Sequence, residues 1–199
     1  MYEKLYSNIS NTLVDDGYII IENALEQRLC KNLLLLAQEE SGYENAGISN
    51  SSQLHIDSTK RSDKTRWIDD DNHTQSEYLS FTTGLLKYLN RSLYLGLKYY
   101  ESHFAIYEKG DFYEKHLDAF KHSKNRVVTT VYYLNEDWEE NDGGKLIIYD
   151  SHNNKLTTVS PKANTLVVFM SDIFPHEVLP AKKERYSIAG WFRVDKTLL

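Results

Sequence analysis

The chain has 199 residues, 41% of them hydrophobic, which suits one domain with a single core. A net charge of -6 argues against phosphate-dominated binding of nucleic acid, because proteins of that class present a basic surface. The first residues lack the apolar core of a secretion signal and no stretch approaches the roughly 18 apolar residues that span a bilayer, so we expect a cytoplasmic protein without a nucleic-acid or membrane partner.

The N-terminal half is predicted to begin with one strand and one helix, followed later by a second helix. Gly17 to Ile21 is a short apolar run typical of a buried strand. Asn23 with Glu26 indicates a helix start, and Thr74 with Glu77 repeats that capping signature. Each pair precedes apolar residues at steps typical of a helix face that packs on a core: Leu25, Leu29, Leu33 and Leu36 in the first helix, and Tyr78, Phe81, Leu85, Leu89 and Leu93 in the second.

From about residue 98 the apolar pattern changes to a period of two, in runs rich in β-branched and aromatic residues. The predicted strands are 98–108, 112–118, 126–134, 145–149, 155–159, 164–170, 176–179 and 185–193. Short strands in this number favour a mainly β fold with flanking α-helices, either a double-stranded β-helix (jelly roll) or a barrel, and we favour the jelly roll. We therefore predict one domain over residues 1–199, in which residues 1–97 precede a jelly-roll core at 98–199.

A candidate metal site consists of His116, Asp118 and His176, called the triad below. His116 and Asp118 are two residues apart in a predicted strand, so their side chains would project from the same face. His176 opens a later strand, and two imidazoles with one carboxylate form the facial set that leaves positions of Fe(II) open. His-x-Asp alone is weak evidence, and a core histidine is the structural alternative for His176. The other five histidines are expected not to bind metal: His55, His73, His103, His122 and His152.

Arg185 is a candidate anion-binding residue in the last predicted strand. The same strand face continues through Ser187, Ala189 and Trp191, two of which are small enough to border a cavity. A buried guanidinium requires an anion, and a carboxylate matches its fork of donors. Tyr133 lies in an apolar run, and its buried hydroxyl could bind the same carboxylate. A structural salt bridge from Arg185 to Glu184 or Asp172 is the alternative.

With these residues assembled, the chain resembles the prolyl-hydroxylase branch of the 2-oxoglutarate oxygenases, especially bacterial prolyl hydroxylases and the animal EGL-nine-type enzymes. The matching segments extend over most of the chain: Arg61 to Ile68, Tyr107, Tyr113, His116 to Asp118, Arg126 to Trp138, Gly143 to Leu146, Pro175 to Val178 and Arg185 to Phe192. Many matches in the same order are far more specific than the triad alone.

The resemblance implies a role for each candidate residue. The triad would bind Fe(II), and Arg185 and Tyr133 would bind the distal carboxylate of 2-oxoglutarate. Three further residues would line the same pocket: Tyr107, Leu146 and Trp191. The implied cofactors are Fe(II), 2-oxoglutarate and O2, with ascorbate open as an additional reductant. Ala189 departs from the hypoxia-factor enzymes, which have a threonine there, so their water arrangement around the metal is not carried over.

The segment from Asp57 to Asn72 lacks a regular period and is charged, yet it contains Trp67 and Ile68. By the resemblance, its part from Arg61 to Trp67 is similar to the start of a mobile loop that closes over a peptide substrate. A surface loop held to the core by Trp67 is the alternative.

These observations predict an Fe(II)- and 2-oxoglutarate-dependent dioxygenase that hydroxylates prolyl residues in a protein or peptide substrate. Two alternatives remain open at this level. The same site would serve a hydroxylase of another protein residue or of a free amino acid, and a jelly roll could bind a ligand or sense metal without turnover.

Overall fold

The structure, a computed structural model, describes residues 2–50, 53–55, 60–119 and 125–194. In these ranges the helices are α1 (Glu3–Asp15), α2 (Gln27–Ala37) and α3 (His73–Leu93), with a 3-10 turn at Glu140–Asp142. The strands are β1 (Tyr18–Ile21), β2 (Glu44–Asn45), β3 (Ile48–Asn50), β4 (Gln53–His55), β5 (Lys64–Trp67), β6 (Tyr99–Tyr107), β7 (Tyr113–His116), β8 (Arg126–Tyr133), β9 (Leu146–Tyr149), β10 (Lys155–Val159), β11 (Leu166–Met170), β12 (His176–Val178) and β13 (Arg185–Arg193).

Two antiparallel sheets pack face to face. The larger sheet has seven strands in the order β1-β11-β8-β13-β6-β5-β2, and the smaller sheet has four in the order β10-β9-β12-β7. Apolar residues from both sheets form one buried cluster between them, which includes Val131, Tyr133, Leu146, Ile148 and Val167. This arrangement confirms the predicted jelly roll and the eight predicted core strands, which are β6 to β13.

The three helices cover the outer face of the larger sheet, so the prediction that the apolar stripes of α2 and α3 pack on a core is confirmed. Their apolar faces join the outward side chains of β8, β11 and β13 in a second buried cluster. The alternation along β8 separates the two clusters, because Val128 and Tyr132 point to the helices while Val131 and Tyr133 point to the smaller sheet. Within the described residues, no helix has both the length and the apolar character to cross a membrane.

The predicted order of the first elements is wrong, since helix α1 precedes strand β1. Its buried residues, Tyr6, Ile9, Ser10 and Leu13, have helical spacing, but no side chain caps its first turn. The start therefore lacks the signature by which the other helices were predicted.

The predicted capping residues are also wrong. Helix α2 begins after Glu26, and Asn23 instead adopts a positive φ of 52° in the turn before it. Helix α3 is capped by Asn72, whose side chain accepts a hydrogen bond of 3.0 Å from the backbone N–H of Gln75. Thr74 lies inside this helix. Several residues of a capping type lie close together in each turn, and only the backbone path selects one of them.

The predicted loop at Arg61 to Trp67 is partly wrong, because Lys64–Trp67 is strand β5 and pairs with β6. The side chain of Trp67 is 56% exposed, so it does not anchor the segment in the core. Residues 57–59 of the proposed lid lie outside the described residues.

Asn164 joins helix α2 to the back of the larger sheet. Its side chain accepts hydrogen bonds from the Leu25 N–H at 2.9 Å and the Tyr132 hydroxyl at 2.8 Å, and it donates to the Leu25 carbonyl at 2.8 Å. Its backbone N–H also donates to the carbonyl of Tyr133. These contacts fix the end of β8 at the point where Tyr133 enters the space between the sheets.

We predict that Asn164→Ala lowers the free energy of unfolding by about 3 to 5 kcal/mol, since three buried hydrogen bonds are lost at a residue with a φ of 61°. Asn153 has a φ of 65° in an exposed turn and is the matched control. Asn153→Ala should change the same quantity by about 1 kcal/mol. Urea denaturation measures the free energy of unfolding of both variants. Equal losses in the two variants would show that backbone conformation alone, without the hydrogen bonds of Asn164, accounts for the destabilisation.

Candidate active site

The triad converges at the edge where β7 and β12 pair. His116 is the last residue of β7 and lies opposite His176, the first residue of β12. Asp118 follows in the turn after β7, so the prediction that it shares a strand face with His116 is wrong in detail. One ligand atom from each residue lies within 4.8 Å of the others, and within the described ranges no other such group of potential metal ligands is found.

Backbone carbonyls orient both imidazole rings. The Nδ1 atom of His116 lies 2.8 Å from the carbonyl of Glu114, and that of His176 lies 3.1 Å from the carbonyl of Phe174. With the proton on Nδ1 in each ring, the Nε2 lone pairs are left for a metal. These Nε2 atoms lie 3.5 and 3.6 Å from the carboxylate of Asp118, which is long for direct hydrogen bonds and suits ligands around one ion.

The electrostatic environment keeps Asp118 and His176 in the protonation states that metal binding requires. Burial alone would raise the pKa of Asp118, but His176, His116 and Arg126 hold this pKa well below its usual range. Burial and the neighbouring His116 lower the pKa of His176 to about 4, with Asp118 opposing this shift. At neutral pH, Asp118 is therefore a carboxylate and His176 is a neutral imidazole, as a divalent transition metal requires.

Two hydroxyl groups that the sequence did not single out support Asp118. Thr129 donates a hydrogen bond of 2.8 Å to the Oδ2 atom of Asp118, and its Oγ1 atom lies 2.8 Å from the hydroxyl of Ser171. These contacts restrict the rotation of the carboxylate. Thr129 and Tyr133 are four residues apart in β8, so strand alternation placed both on the face that carries the site.

Arg185 is buried, at 1% exposure, between the two sheets. Its Nε atom donates to the carbonyl of Gly144 at 2.9 Å, and Nη1 donates to the hydroxyl of Ser187 at 3.1 Å. The guanidinium carbon lies 4.6 Å from the ring centre of Tyr107 and 5.0 Å from that of Tyr133. No acidic side chain in the described part of the chain forms an ion pair with it, which argues against the structural salt bridge.

The surroundings of Arg185 fit the carboxylate of a small ligand. The hydroxyl of Tyr133 is fully buried and has no hydrogen-bond partner, so a donor faces the same space as the guanidinium. Gly144 has a φ of 59°, and a Cβ there would lie 2.9 Å from the Cδ of Arg185. The glycine thus permits the close approach that aims the guanidinium inward.

The three other predicted pocket residues fall into two groups. Tyr107 and Leu146 belong to the buried cluster around Tyr133. Trp191 lies on the same face of β13 as Arg185 but six residues further along, opposite Thr129. It is therefore beside the triad and far from the guanidinium.

The triad end and the Arg185 end of the site lie along the same inner face of strand β8. Thr129 and Tyr133 are separated by about 13 Å along β8 at the usual rise of a strand. Val131 lies between them, so the part of this face between the two ends is apolar. A metal-ligand set at one end and a guanidinium at the other are the two partners that a ligand with two anionic ends requires.

Comparisons with known proteins agree with this geometry. Residues 102–193 match the family model of the 2OG-Fe(II) oxygenase superfamily. A prolyl-4-hydroxylase from Pseudomonas putida is 35% identical with a TM-score of 0.87, and the match covers 95% of this chain and 99% of that protein. The chain belongs to the 2OG-Fe(II) oxygenase superfamily. Membership confirms the predicted class of enzyme, an Fe(II)- and 2-oxoglutarate-dependent dioxygenase that uses O2.

Two further relatives place this oxygenase near prolyl hydroxylases. A prolyl hydroxylase from Trichoplax adhaerens, in complex with a hypoxia-inducible factor oxygen degradation domain peptide fragment, is 29% identical with a TM-score of 0.85, covering 96% of this chain and 90% of that one. The hypoxia-inducible factor prolyl hydroxylase of Caenorhabditis elegans is 40% identical over 96 residues, which is 47% of this chain. The match spans 13% of that relative and 20% to 25% of three mammalian Egl nine homologs.

We predict that His176→Ala weakens the binding of Mn(II) at least about 10-fold, because one of the three predicted metal ligands is lost. The fold should survive, since the imidazole contributes little to apolar burial. His152, in an exposed turn, provides the control His152→Ala. Electron paramagnetic resonance of free Mn(II) measures the affinity, and wild-type affinity in His176→Ala would refute the assignment.

Proposed function

We propose that this oxygenase hydroxylates prolyl residues in a protein substrate. The observation that carries the proposal is the pairing, between the two packed sheets, of a metal-ligand triad at the edge of the smaller sheet with a buried guanidinium on the larger sheet that has no acidic partner among the described residues. The likeness to prolyl hydroxylases along nearly the whole chain supports the substrate class. The peptide bound to the Trichoplax adhaerens relative supports a peptide over a small molecule.

In this proposal the triad residues His116, Asp118 and His176 are the iron ligands. Fe(II) with 2-oxoglutarate and O2 supplies the oxidant that replaces a C–H bond by C–OH, with release of succinate and CO2. His116 and His176 present Nε2 because backbone carbonyls hold their Nδ1 atoms. Asp118 presents one oxygen because Thr129 binds the other.

Arg185 and Tyr133 bind the distal carboxylate of 2-oxoglutarate, through a fork of N–H donors and one hydroxyl. Tyr107 stacks on the guanidinium and Leu146 closes the apolar wall around it. Burial removes competing water, so each charge-assisted hydrogen bond is stronger than at the surface. Binding at this end orients the other end of the co-substrate toward the triad.

Several sequence-based expectations stay predictions within this proposal. These are the cytoplasmic location, the absence of a nucleic-acid or membrane partner, the single-domain organisation and the use of ascorbate. The acidic net charge supports the expectation about nucleic acid.

The proposal is tested with purified protein loaded with Fe(II). Succinate release from 2-oxoglutarate separates the enzyme from a jelly roll that only binds a ligand. Incubation with a lysate of the source organism lacking this gene, followed by mass spectrometry, should then find peptides that gained one oxygen atom on proline. A gain of oxygen confined to another residue type would reject prolyl hydroxylation and would still support the assignment as a dioxygenase.

We predict that Arg185→Ala raises the concentration of 2-oxoglutarate required for half-maximal succinate release by about 30- to 1000-fold. A charge-assisted bidentate contact contributes roughly 2 to 4 kcal/mol when its partner would otherwise remain unpaired. Mn(II) affinity should change little, because Arg185 lies at the other end of the site. An unchanged co-substrate requirement would instead assign Arg185 a structural role.

The neighbouring tyrosines of β8 allow a matched pair of variants. We predict that Tyr133→Phe raises the 2-oxoglutarate requirement about 5- to 10-fold without loss of stability, since its hydroxyl has no partner in the protein. Tyr132→Phe removes a hydroxyl that binds Asn164, on the helix side of the same strand. It should lower the melting temperature and leave the 2-oxoglutarate requirement unchanged. The reverse pattern would contradict the assignment of Tyr133.

A further inference from the structure

His103 is a buried polar residue for which the iron and co-substrate sites provide no role. It lies in β6, on the inner face of the larger sheet, and is 4% exposed. Neither ring nitrogen has a hydrogen-bond partner. A buried imidazole normally forms a hydrogen bond through at least one ring nitrogen, whereas both nitrogens of His103 are without one.

Two tryptophans flank this imidazole. The ring centre of Trp67 lies 5.3 Å away on strand β5, nearly perpendicular at 89°, and that of Trp191 lies 5.3 Å away on strand β13. The indole N–H of Trp191 is also buried without a partner. Apolar ring surfaces thus surround a small group of unpaired polar atoms.

The same region opens to solvent beside the triad. Strand β13 lies inside the larger sheet, between β6 and β8. Its residue Ala189, which is opposite His103 in the ladder, is nevertheless partly exposed. Trp67 is 56% exposed at the outer side of the imidazole. Trp191 is paired with Thr129, which supports Asp118. A ligand that enters here would therefore meet His103 next to the metal site.

The neighbouring cations are already engaged. Arg61 forms a two-point ion pair with the buried Asp63, at 2.6 and 2.9 Å. Arg126 lies 3.7 Å from the carboxylate of Glu101 and covers the ring of Trp191. Burial, together with Arg61 and Arg126, holds the pKa of His103 well below its usual range, so the ring is neutral with one donor and one acceptor.

A neutral imidazole discriminates between substrate classes. A free amino acid carries a carboxylate and an ammonium group, each of which requires a charged partner when it leaves water. A residue within a peptide has a neutral carbonyl group instead, which a neutral N–H donor can satisfy. Apolar indole rings on both sides suit the C–H surface of a saturated ring such as that of proline.

We propose that His103 is a specificity-determining residue that donates a hydrogen bond to a backbone carbonyl of the substrate, with the target residue in contact with the rings of Trp67 and Trp191. The site then takes a residue within a peptide and rejects a free amino acid. This inference rests on the proposed function and names the substrate contact that the function requires.

The test uses the full chain with Fe(II), short capped peptides with a central proline and mixed flanking residues, and free L-proline. We expect the wild-type protein to prefer the best capped peptide to free L-proline at least about 100-fold in kcat/KM. His103→Leu should lower kcat/KM for that peptide roughly 10-fold. The KM for 2-oxoglutarate should not change. His103→Gln keeps an N–H donor and should recover part of the loss.

Peptide affinity measured by tryptophan fluorescence, with Mn(II) in place of Fe(II), gives a readout that does not depend on turnover. His103→Leu should weaken this affinity by a similar factor. Its melting temperature should equal or exceed that of the wild type, because the substitution removes an unpaired buried polar group. A matched change at the exposed His152, His152→Leu, should alter none of these quantities.

The outcomes separate the inference from the proposed function. Succinate release with unchanged peptide kinetics and affinity in His103→Leu would overturn the inference alone. Equal use of free L-proline and capped peptide by the wild type would do the same. Absence of any succinate release in the wild type would overturn the proposed function, and the inference with it.

Discussion

The side-chain alternation of strand β8 is the constraint on which the site depends. Thr129 supports Asp118 at one end and Tyr133 reaches the Arg185 pocket at the other. Val128 and Tyr132, which alternate with them, pack against the helices. Because β8 pairs with β11 and β13 along most of its length, its register is fixed on both sides. A shift of one residue would exchange the two faces and remove both ends of the site together.

The space next to β8 contains polar groups that the protein itself leaves unpaired. The hydroxyl of Tyr133, both nitrogens of His103 and the indole N–H of Trp191 are buried without partners. Each such group costs about 1 to 3 kcal/mol in the free protein. Burial of the two apolar clusters, one on each side of the larger sheet, offsets this free-energy cost. A ligand with matching acceptors removes the penalty, whereas one without them leaves it in place, which makes the unpaired groups a basis for selectivity.

Part of this architecture was predictable from local patterns. The eight core strands follow from alternation and turn residues, and the stripes of α2 and α3 follow from apolar spacing. Helix α1 was missed because no Ser, Thr, Asp or Asn precedes its first residue, Glu3, to indicate a helix start. Strand β5 was missed because its four residues, Lys64–Trp67, show no alternation of apolar and polar side chains and are held by pairing with β6. Pairing with a distant strand leaves no trace in a short local sequence.

The sequence by itself determined the chemistry of the site: two imidazoles, one carboxylate and one guanidinium, each in or next to a predicted strand. Their residue types and order carried the resemblance to a family and therefore the cofactors. Only the tertiary structure decided which atoms face each other, since His116 and His176 are brought opposite by the pairing of β7 and β12. It also decided which buried groups lack partners, as with His103, because hydrogen bonding and burial depend on residues far apart in the chain. Distances across two packed sheets are set by that packing, so they cannot be inferred from spacing along a single strand.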